Sequence, residues 1–381
     1  MTSRTTLRHL HIAHTLSIRL SGGLVDVAGL HCAMLESGIP SRLICTASQE
    51  DIAEPPATLK LKRLWNNRFF FGWNSASRIR EAVEEADIVH VHGLYTYMNY
   101  LAGKYCREQS KTLIYHPHGS LVPAYLKMGR IKKSIVLWAF ESRNFREVAA
   151  LRALSAAEEA QILDYIPGAK TFVIPNGVSL PKQFFKATGH NSELALVTKS
   201  TKRVFLFLSR MRFAKGIDLL IDAWASAGVP GCELWIAGPD VDGTEQRLRK
   251  QIDDRQLKNI VLIGAVSDEN KSWLLRAIDV FVLTSRGEGQ SPAVLEAMAY
   301  GKPVLLTTTC YFPEAEEAGA GLVCEPNVAD IAELISQFTQ MQNADLETMG
   351  KRGRLLVAER HNILNIARNL DLRSKDIVET L

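Results

Sequence analysis

Short apolar segments alternate with longer segments of helical spacing along the whole chain, and this alternation occurs in two successive sets. The short segments of the first set include LRHLHIAH, ADIVHVHG and KTLIYHPHG, and those of the second include RVFLFLSR, CELWIAGPD and DVFVLTSR. Helical patterns such as KGIDLLIDAWASAG lie between them. Buried strands that alternate with helices are typical of parallel sheets with helices on both faces. The pattern therefore predicts an α/β protein with two doubly wound, Rossmann-like domains.

The domain bounds follow from a polar stretch that begins after an Asn-Gly turn and separates the two sets. We predict an N-terminal domain over residues 1–185 and a C-terminal domain over residues 200–359. The length of 381 residues suits two domains, each large enough to bury its own core. The last helical segment, 360–381, fits either domain by its pattern alone.

Composition narrows the class of protein. Apolar residues make up 46% and charged residues 23% of the chain, which is typical of globular proteins, and the formal charge of +4 gives little support to a nucleic acid or another polyanion as partner. The six cysteines are scattered without paired spacing, as in proteins that keep their thiols reduced. The sequence has neither a signal-peptide core nor an apolar run of about 20 residues. We expect a cytoplasmic protein, soluble or peripherally attached to a membrane.

The loops that follow the strands are the places to search for chemistry, because open parallel sheets bind ligands beyond the carboxyl ends of their strands. In FLSRMRFAKGIDLL, Arg210 and Lys215 flank a loop between a predicted strand and a helix that starts near Gly216. Two cations at a helix N-terminus form a suitable site for phosphates. Solvated surface charge is the alternative interpretation of this motif.

The segment SRGEGQSPAVLEAMAYG carries two carboxylates with seven residues between them. Ser291 is a suitable N-cap, Pro292 fits the first helical position and Gly301 fits the stop, so the pattern predicts a short helix. Glu288 lies in the loop before this helix and Glu296 lies just over one turn inside it. The two carboxylates are thus placed to bind separate hydroxyl-rich parts of one extended ligand, such as a sugar and a ribose joined by a diphosphate.

Two further loops follow strands in the first half. Gly22 and Gly23 form a turn that permits close approach of an anion, although a tight turn without function is the alternative. The histidines of HVHG and HPHG alternate along their strands, so each pair faces one way. They raise a metal hypothesis, but no carboxylate lies at ligand spacing, and we expect no metal. His118 is better suited to contact a polar ligand or a developing charge.

Several blocks together resemble a known family. EGQSPAVLEAMAYGKPVL resembles the E-x7-E signature of the retaining family-4 glycosyltransferases, whose GT-B fold has two Rossmann-like domains facing a cleft. SRMRFAKGIDLLIDA resembles the loop that binds the donor diphosphate in this family, and HPHGSLVPAYLKMGRIKK resembles its histidine loop. The blocks occur in the order of the family, from Gly22 to about Pro326.

The resemblance implies a role for each matching residue. Glu288 would hold hydroxyls of the donor sugar and Glu296 those of the ribose. Arg210 and Lys215 would bind the diphosphate and stabilise it as the leaving group, and His118 would lie near the reacting sugar.

The resemblance also implies the surroundings of the donor. Gly22 and Gly23 would lie near the diphosphate and the acceptor, the loop 264–268, with Gly264 and Val266, would line the nucleobase, and the C-terminal helix would return to the N-terminal domain. The family usually has EGFG where this chain has Glu288, Gly289, Gln290 and Ser291. These substitutions lie beside the sugar and leave its identity open.

The reaction implied is transfer of a hexosyl group from a nucleotide-diphosphate sugar to an acceptor hydroxyl, with retention of configuration and without a metal or another cofactor. The acceptor would be a glycan or a lipid-linked molecule of bacterial surface polysaccharide or glycolipid assembly. A basic cluster, defined by Lys127, Arg130, Lys132 and Lys133, precedes an apolar stretch. It is a candidate contact with anionic lipid at the inner face of the cell membrane; a solvated helix face is the alternative.

Other classes share parts of this pattern. A nicotinamide oxidoreductase would show GxGxxG and a later acidic residue, which are missing from the sequence. A nucleotide-sugar epimerase or a glycosyl phosphorylase would share the GT-B fold. A silent sugar-nucleotide-binding protein would share it too, but the intact set of Arg210, Lys215, Glu288 and Glu296 argues against silence.

Overall fold

The computed structural model describes residues 6–14, 25–46, 55–61, 74–121, 142–181 and 202–380. The chain divides into two compact units, Met1–Gly177 with Ile363–Leu381, and Val178–Asn362. Residues 178–181 thus belong to the second unit, whereas the sequence pattern placed them in the first. A parallel bridge between Val178 and Asn362, with Val178 N donating to His361 O at 2.8 Å, joins the beginning of the second unit to its end.

The first unit is built on a seven-stranded parallel sheet. Its strands are β1 (His9–Ala13), β2 (Ser41–Thr46), β3 (Thr58–Leu61), β4 (Ile88–His92), β5 (Thr112–His116), β6 (Ala150–Ala153) and β7 (Thr171–Val173), in the spatial order β3-β2-β1-β4-β5-β6-β7. The helices of this unit that precede the second unit along the chain are α1 (Val25–Glu36), α2 (Ser75–Glu85), α3 (Tyr97–Glu108), α4 (Ser142–Glu147) and α5 (Ala156–Tyr165).

The second unit is built on a six-stranded parallel sheet. Its strands are β8 (Arg203–Leu208), β9 (Cys232–Ala237), β10 (Ile260–Gly264), β11 (Val280–Leu283), β12 (Val304–Thr307) and β13 (Gly321–Cys324), in the spatial order β10-β9-β8-β11-β12-β13. Its helices are α6 (Ile217–Ala227), α7 (Thr244–Asp254), α8 (Asp268–Ala277), α9 (Pro292–Ala299), α10 (Glu314–Glu317), α11 (Val328–Gln340) and α12 (Asn343–Arg360).

Both sheets confirm the prediction of two parallel-sheet α/β domains. The central strands of the second sheet are almost continuously apolar because helices cover both faces of the sheet. In the first sheet, β1 and β4 instead carry buried histidines at alternate positions. In the second unit, Phe205, Leu206 and Phe207 on β8 are fully buried, and Trp224 of α6 packs edge-on against Phe205 with ring centroids 5.3 Å apart. Because the strands of each sheet are parallel, their carboxyl ends lie at one edge of that sheet, and the loops that follow them share this edge.

The last helix, α13 (Ile363–Thr380), belongs to the first unit. Its residues Ile366 and Leu370 share a buried apolar cluster with Leu30 of α1. The return of the chain requires a glycine, because a Cβ at Gly177 would lie 2.6 Å from the Cα of Ile363. None of the helices within the described residues is long and apolar enough to cross a membrane.

Candidate active site

The loops that follow β8 and β11 meet in a buried ion pair at the carboxyl edge of the second sheet. Lys215 ends a 3-10 turn, Phe213–Lys215, and its Nζ donates to Glu288 Oε1. Only 9% of each side chain is exposed. The two residues are 73 positions apart in sequence, and they meet because β8 and β11 are neighbours in the sheet. The fold thus brings together a cation and a carboxylate that the sequence analysis selected separately.

The position of Lys215 depends on a close approach of the two loops at Gly216. Gly216 has φ +67°, and a Cβ at this position would lie 1.9 Å from the carbonyl oxygen of Thr284. The hydroxyl of Thr284 donates to the carbonyl of Gly216 at 2.9 Å, and Arg286 N donates to the carbonyl of Ala214 at 2.8 Å. Only glycine fits this backbone conformation without a clash, so the loop after β8 is held against the loop after β11.

Arg286 adds a second link between the same loops. Its guanidinium donates to both carboxylate oxygens of Asp218, at 2.8 and 2.7 Å, and to the carbonyl of Phe213 at 2.7 Å. The guanidinium also lies over the Phe213 ring, 4.0 Å from its centroid. Bidentate arginine pairs have a defined geometry, so Arg286 rigidifies the turn that carries Lys215.

Hydroxyl groups orient the Glu288 carboxylate. Ser285 Oγ donates to Glu288 Oε1 at 2.6 Å, and Thr307 and Thr309 donate to the carbonyl of Ser285 at 2.8 and 2.5 Å. The backbone N–H of Glu288 donates to the carbonyl of Thr309 at 3.1 Å. Burial, followed by the negative charge of Glu288, raises the pKa of the Cys310 thiol to about 11. The Glu288 carboxylate is therefore held in a defined orientation by the residue after β11 and by the loop after β12.

Helix α9 begins and ends where the sequence indicates. Pro292 is its first residue, and Gly301, two residues beyond the end at Ala299, has φ +70°. Ser291 occupies the N-cap position, but its side chain makes no capping hydrogen bond within the described structure; its backbone carbonyl accepts from Val294 N at 3.2 Å. The first turn of α9 thus directs backbone N–H groups toward the loop that carries Glu288.

The second carboxylate, Glu296, is paired with a lysine that the sequence analysis missed. Lys271 Nζ lies 2.7 Å from Glu296 Oε1 and 3.2 Å from Asp268 Oδ1. Burial by itself lowers the pKa of Lys271, but the two carboxylates outweigh this effect and raise it. Lys271 therefore stays charged at neutral pH and holds the Glu296 side chain beside it.

The remaining predicted residues of the second unit lie on the same edge of the sheet. Arg210 lies between β8 and the 3-10 turn and is partly buried. Gly264, the last residue of β10, has φ +83° and open space where a Cβ would point, and Val266 follows it. Gly289 and the buried Gln290 continue the loop from Glu288 to α9; 7% of Gln290 is exposed. Arg210 thus follows β8, Gly289 and Gln290 follow β11, and Gly264 and Val266 lie at the end of β10, all at the carboxyl ends of their strands.

In the first unit, a buried carboxylate holds the turn that carries His118. The backbone of His118 has φ +51°, which is unusual for a residue with a Cβ. Glu158 accepts hydrogen bonds from Gly119 N at 2.6 Å and from Leu154 N at 2.7 Å. Burial raises the pKa of Glu158, while these two hydrogen bonds act in the opposite direction. Gly22 and Gly23 lie outside the described residues.

The histidines of this unit form two hydrogen-bonded rows across β1, β4 and β5. Row one joins His9, His90 and His116, with nitrogen-nitrogen distances of 2.9 and 3.0 Å. Row two joins His11, His92 and His118, with two distances of 2.9 Å. Burial is the main cause that lowers the pKa of five of these rings, and neighbouring positive groups add to it. The pKa values of four rings lie well below 6.5; these are His11, His90, His92 and His116. The pKa of His118 is lowered to about 3.

Three of these histidines have a spacing that would suit a metal ion. Ligand nitrogens of His92, His116 and His118 all lie within 4.8 Å of one another. Both nitrogens of His92 and the Nε2 atoms of His116 and His118 are, however, used in hydrogen bonds between the rings, and the Arg152 guanidinium lies 3.4 Å from His116 Nδ1. Arg152 is 2% exposed, and burial lowers its pKa only to about 10, so it is charged at neutral pH. A metal cation would therefore lie beside a buried positive charge, and this cluster is a poor metal site.

A small pocket of the first unit lies next to row two. His118, His92 and Arg152 line it together with Asp26 and Asn176, and Gly177 and apolar side chains of α1 and α13 form the rest of its wall. Asn176 Nδ2 donates to Asp26 Oδ2 at 3.4 Å. The pocket thus offers an imidazole, a guanidinium, a carboxylate and an amide, a set suited to bind hydroxyl groups.

Two family models match this chain, one for each half. The model described as Glycosyltransferase Family 4 matches residues 21–181, and the model described as Glycosyl transferases group 1 matches residues 193–356. The chain belongs to the family-4 glycosyltransferases. This assignment confirms the resemblance inferred from the ordered sequence blocks.

Characterised relatives of this glycosyltransferase include mannosyltransferases. It is 28% identical over 255 residues to the GDP-mannose:cellobiosyl-diphosphopolyprenol alpha-mannosyltransferase of Xanthomonas oryzae, a match that covers 65% of this chain and 63% of that protein, less than two thirds of its length. It is 24% identical over 364 residues, 91% of each chain, to the O-antigen chain mannosyltransferase C of Escherichia coli. The structure of Anabaena HepE with UDP and glucose has a TM-score of 0.76 at 17% identity and covers 97% of this chain and 100% of its own, which confirms the GT-B fold.

Sequence reasoning missed four residues of this glycosyltransferase that the fold places beside predicted ones. Lys271 and Arg286 have partners on other elements, and no local motif marks them. Arg152 lies within a short apolar strand, and only its charge in that context could have drawn attention to it. Glu158 was detectable, because Ser155-Ala-Ala-Glu158 has the spacing of a capping box, and Ser155 does cap α5.

Proposed function

We propose that this glycosyltransferase moves a hexosyl group from a nucleotide-diphosphate sugar to a hydroxyl of a glycan or lipid-linked acceptor, with retention of configuration and without a metal. The observation that carries the proposal is the set of two lysine-carboxylate pairs, Lys215 with Glu288 and Lys271 with Glu296, at one edge of the second sheet. Each carboxylate accepts from its lysine and can still bind sugar or ribose hydroxyls, because an ionised carboxylate has about four acceptor positions.

Positive charge at this edge supports a diphosphate leaving group without a divalent cation. An ammonium has three N–H groups, so Lys215 can bind a phosphate oxygen while it remains paired with Glu288. Arg210 and the backbone N–H groups at the start of α9 add donors on the same side of the sheet. Donors that are in place before the reaction stabilise developing charge most effectively.

Mannose from GDP-mannose is our first candidate donor, and a lipid-diphosphate glycan is our first candidate acceptor. The support comes from the relatives, one of which is named for GDP-mannose and a diphosphopolyprenol acceptor. Several relatives are named for O-antigen or colanic acid synthesis, which favours a role in surface polysaccharide assembly. Contact of the basic cluster with the inner face of the cell membrane fits such an acceptor; its residues lie outside the described structure, so the proposal rests on sequence.

A variant of Lys215 tests the proposal. We expect Lys215→Met to lower GDP release from GDP-mannose by about 10²- to 10³-fold, the usual loss when one electrostatic donor to a transition state is removed. Lys302→Met is the matched control, because Lys302 precedes β12 at the opposite edge and its Nζ donates to backbone carbonyls at 3.0 and 2.7 Å. Nucleotide release from a panel of GDP-, UDP- and ADP-sugars would identify the donor. NMR of the product would give its anomeric configuration.

Loss of folding must be separated from loss of chemistry. Lys215→Met leaves the buried Glu288 carboxylate without its partner, which costs about 3–5 kcal/mol of stability. The double variant Lys215→Met/Glu288→Gln removes the unpaired charge, and we expect it to regain stability but no activity. Near-normal turnover by a folded Lys215→Met protein would contradict the proposal. Donor conversion without acceptor would indicate an epimerase, a requirement for phosphate would indicate a phosphorylase, and binding without nucleotide release would indicate a silent protein.

A further inference from the structure

The two histidine rows have different ends, and the ends determine which ring nitrogens carry protons. A neutral imidazole has one N–H donor and one acceptor nitrogen, so a row of neutral rings has a single direction of donation. The rings are buried, and burial lowers the pKa of five of them well below 6.5, so these five rings are neutral; they are His11, His90, His92, His116 and His118. The direction in each row is therefore set by whichever end group can only donate or only accept.

Row one is determined at both ends. Asp371 on α13 accepts from His9 Nε2 at 3.0 Å; burial alone would raise the pKa of Asp371, but hydrogen bonds from His9 and Lys375 lower it, so the carboxylate only accepts. At the other end, Arg152 can only donate, and its Nη1 lies 3.4 Å from His116 Nδ1. Donation therefore runs from Arg152 through the row to Asp371, with each proton on Nε2. Row one satisfies both of its ends.

Row two is determined at one end only. His11 Nε2 lies 3.3 Å from the sulfur of Met34, which can accept a hydrogen bond but cannot donate one. The proton of His11 is thus on Nε2, and its Nδ1 accepts from His92 Nε2. His92 Nδ1 in turn accepts from His118 Nε2. The opposite direction would place a nitrogen lone pair against the Met34 sulfur.

The far end of row two is an acceptor that has no partner among the described residues. His118 Nδ1 is buried and makes no hydrogen bond there, and the His118 ring lines the pocket with Arg152, Asp26 and Asn176. The Glu158 carboxylate holds the backbone of the turn at Gly119, and His92 holds the His118 ring through Nε2. A buried acceptor that stays unsatisfied is costly, and the ring that carries this one lines the pocket.

We propose that His92 and His11 are positioning residues that hold His118 as its Nε2–H tautomer, so that Nδ1 accepts a hydrogen bond from a hydroxyl of the ligand in the pocket. The identity of that ligand as a sugar or a glycan acceptor rests on the proposed function. The tautomer itself is a property of the free protein. Because the Met34 sulfur can only accept a hydrogen bond, it fixes the tautomers of all three rings of row two, including the ring that lines the pocket.

The first test is nitrogen NMR of the wild-type protein with ¹⁵N-labelled histidine rings, with His118 assigned from its loss in a His118→Gln variant. We expect His118 Nδ1 to resonate as an unprotonated, pyridine-type nitrogen and Nε2 as a protonated one near neutral pH. A proton on Nδ1, or a charged ring, would overturn the proposal. No donor or acceptor is needed, so this result stands even where the proposed transferase function fails.

The second test compares two variants of His92. His92→Leu removes the acceptor for His118 Nε2–H, and we expect the ratio of the Nε2–H to the Nδ1–H tautomer to fall by about tenfold. His92→Asn places an amide oxygen near the former Nδ1 position, so the ratio should stay near that of the wild type. His90→Asn in row one is the matched control for a buried histidine and should leave His118 unchanged. An unchanged tautomer ratio in folded His92→Leu would refute the positioning role.

Turnover separates positioning from a general packing effect. With GDP-mannose as the probe, His92→Leu should lose activity by about the same tenfold factor, and His92→Asn should recover most of it. Equal losses in both His92 variants and in His90→Asn would show that the rows act through packing alone. If His92→Leu does not fold, the wild-type tautomer and the His92→Asn variant still decide the question.

Discussion

The buried histidine rows predict a steep loss of stability of the first unit in mild acid. Five imidazoles of the two rows have a folded pKa well below the ordinary value of 6.5, so below pH 6.5 they bind protons only on unfolding; they are His11, His90, His92, His116 and His118. Burial also lowers the pKa of His31, which acts in the same direction. The unfolded state then binds more protons than the folded state, and the free energy of unfolding decreases with decreasing pH. Glu158, whose pKa burial raises, acts in the opposite direction by at most one proton.

Five rings of the rows bind protons on unfolding, and Glu158 opposes them by at most one proton, so the net difference is four protons. The size of the effect follows from this number. Between about pH 7.5 and about pH 5.5, each imidazole lowers the free energy of unfolding by about 1.4 kcal/mol, so the net loss is about 5 kcal/mol. That loss is comparable to the whole stability of many domains, about 5–15 kcal/mol. The loss continues until the pH reaches the folded pKa values, which for His118 is about 3.

Urea denaturation at a series of pH values, followed by far-UV circular dichroism, measures this slope. His90→Asn removes one titrating ring, and we expect its loss over the same window to be smaller by about 1.4 kcal/mol, whatever its stability at neutral pH. A free energy of unfolding that stays constant or rises as the pH falls from 7 to 5.5 would refute the assignment of neutral buried rings.

Two further predictions concern other parts of the chain. We expect Gly216→Ala to destabilise the second unit by at least about 3 kcal/mol more than Gly228→Ala, as measured by thermal unfolding. Both glycines have a positive φ. A Cβ at Gly216 would lie 1.9 Å from the carbonyl oxygen of Thr284, whereas a Cβ at Gly228 would meet open space. Vesicle flotation tests the basic cluster; we expect salt-sensitive binding to anionic vesicles that is lost when Lys132 and Lys133 are replaced by Ser, and absence of binding by the wild type would remove the membrane proposal.

Local chemistry made α9 predictable from sequence. Pro292 starts the helix and Gly301 stops it, because proline has a helical φ and lacks the amide hydrogen that would stay unpaired, while glycine readily adopts a positive φ. The alternation of short apolar segments with helices likewise predicted both parallel sheets. These features depend on residues close together in sequence, and the sequence displays them directly.

The pairings of charged groups were not predictable in the same way. Lys271 and Glu296 lie on different helices 25 positions apart, and the partners of Lys215 and Glu288 depend on the adjacency of β8 and β11. In the second sheet the order β10-β9-β8-β11 places β8 beside β11, which is three strands later in the sequence. Each ion pair is therefore a consequence of topology, which a motif search that reads one loop at a time does not capture.

The histidine rows show the same limit at finer resolution. The alternation in HVHG predicts that His90 and His92 face one way, but strand register decides their partners. His11 is directly opposite His90 in the sheet, yet His90 bonds to His9, and His92 is opposite His116 but bonds to His118. Each bond is thus displaced by two residues along the neighbouring strand, and this displacement is what carries row two to the pocket.

The two units hold their polar groups by opposite means, and the contrast follows from the chemistry we propose for each. In the second unit, Lys215 and Glu288 form a buried ion pair, so desolvation is offset by their pairing before any ligand binds, and the diphosphate that we propose as ligand would meet donors already oriented. In the first unit, burial keeps His118 neutral, so it accepts a hydrogen bond without adding positive charge. A charged imidazole would attract phosphates, the groups that we propose for Lys215. A neutral acceptor instead selects hydroxyl groups, which is the property that separates a sugar or acceptor contact from a diphosphate site.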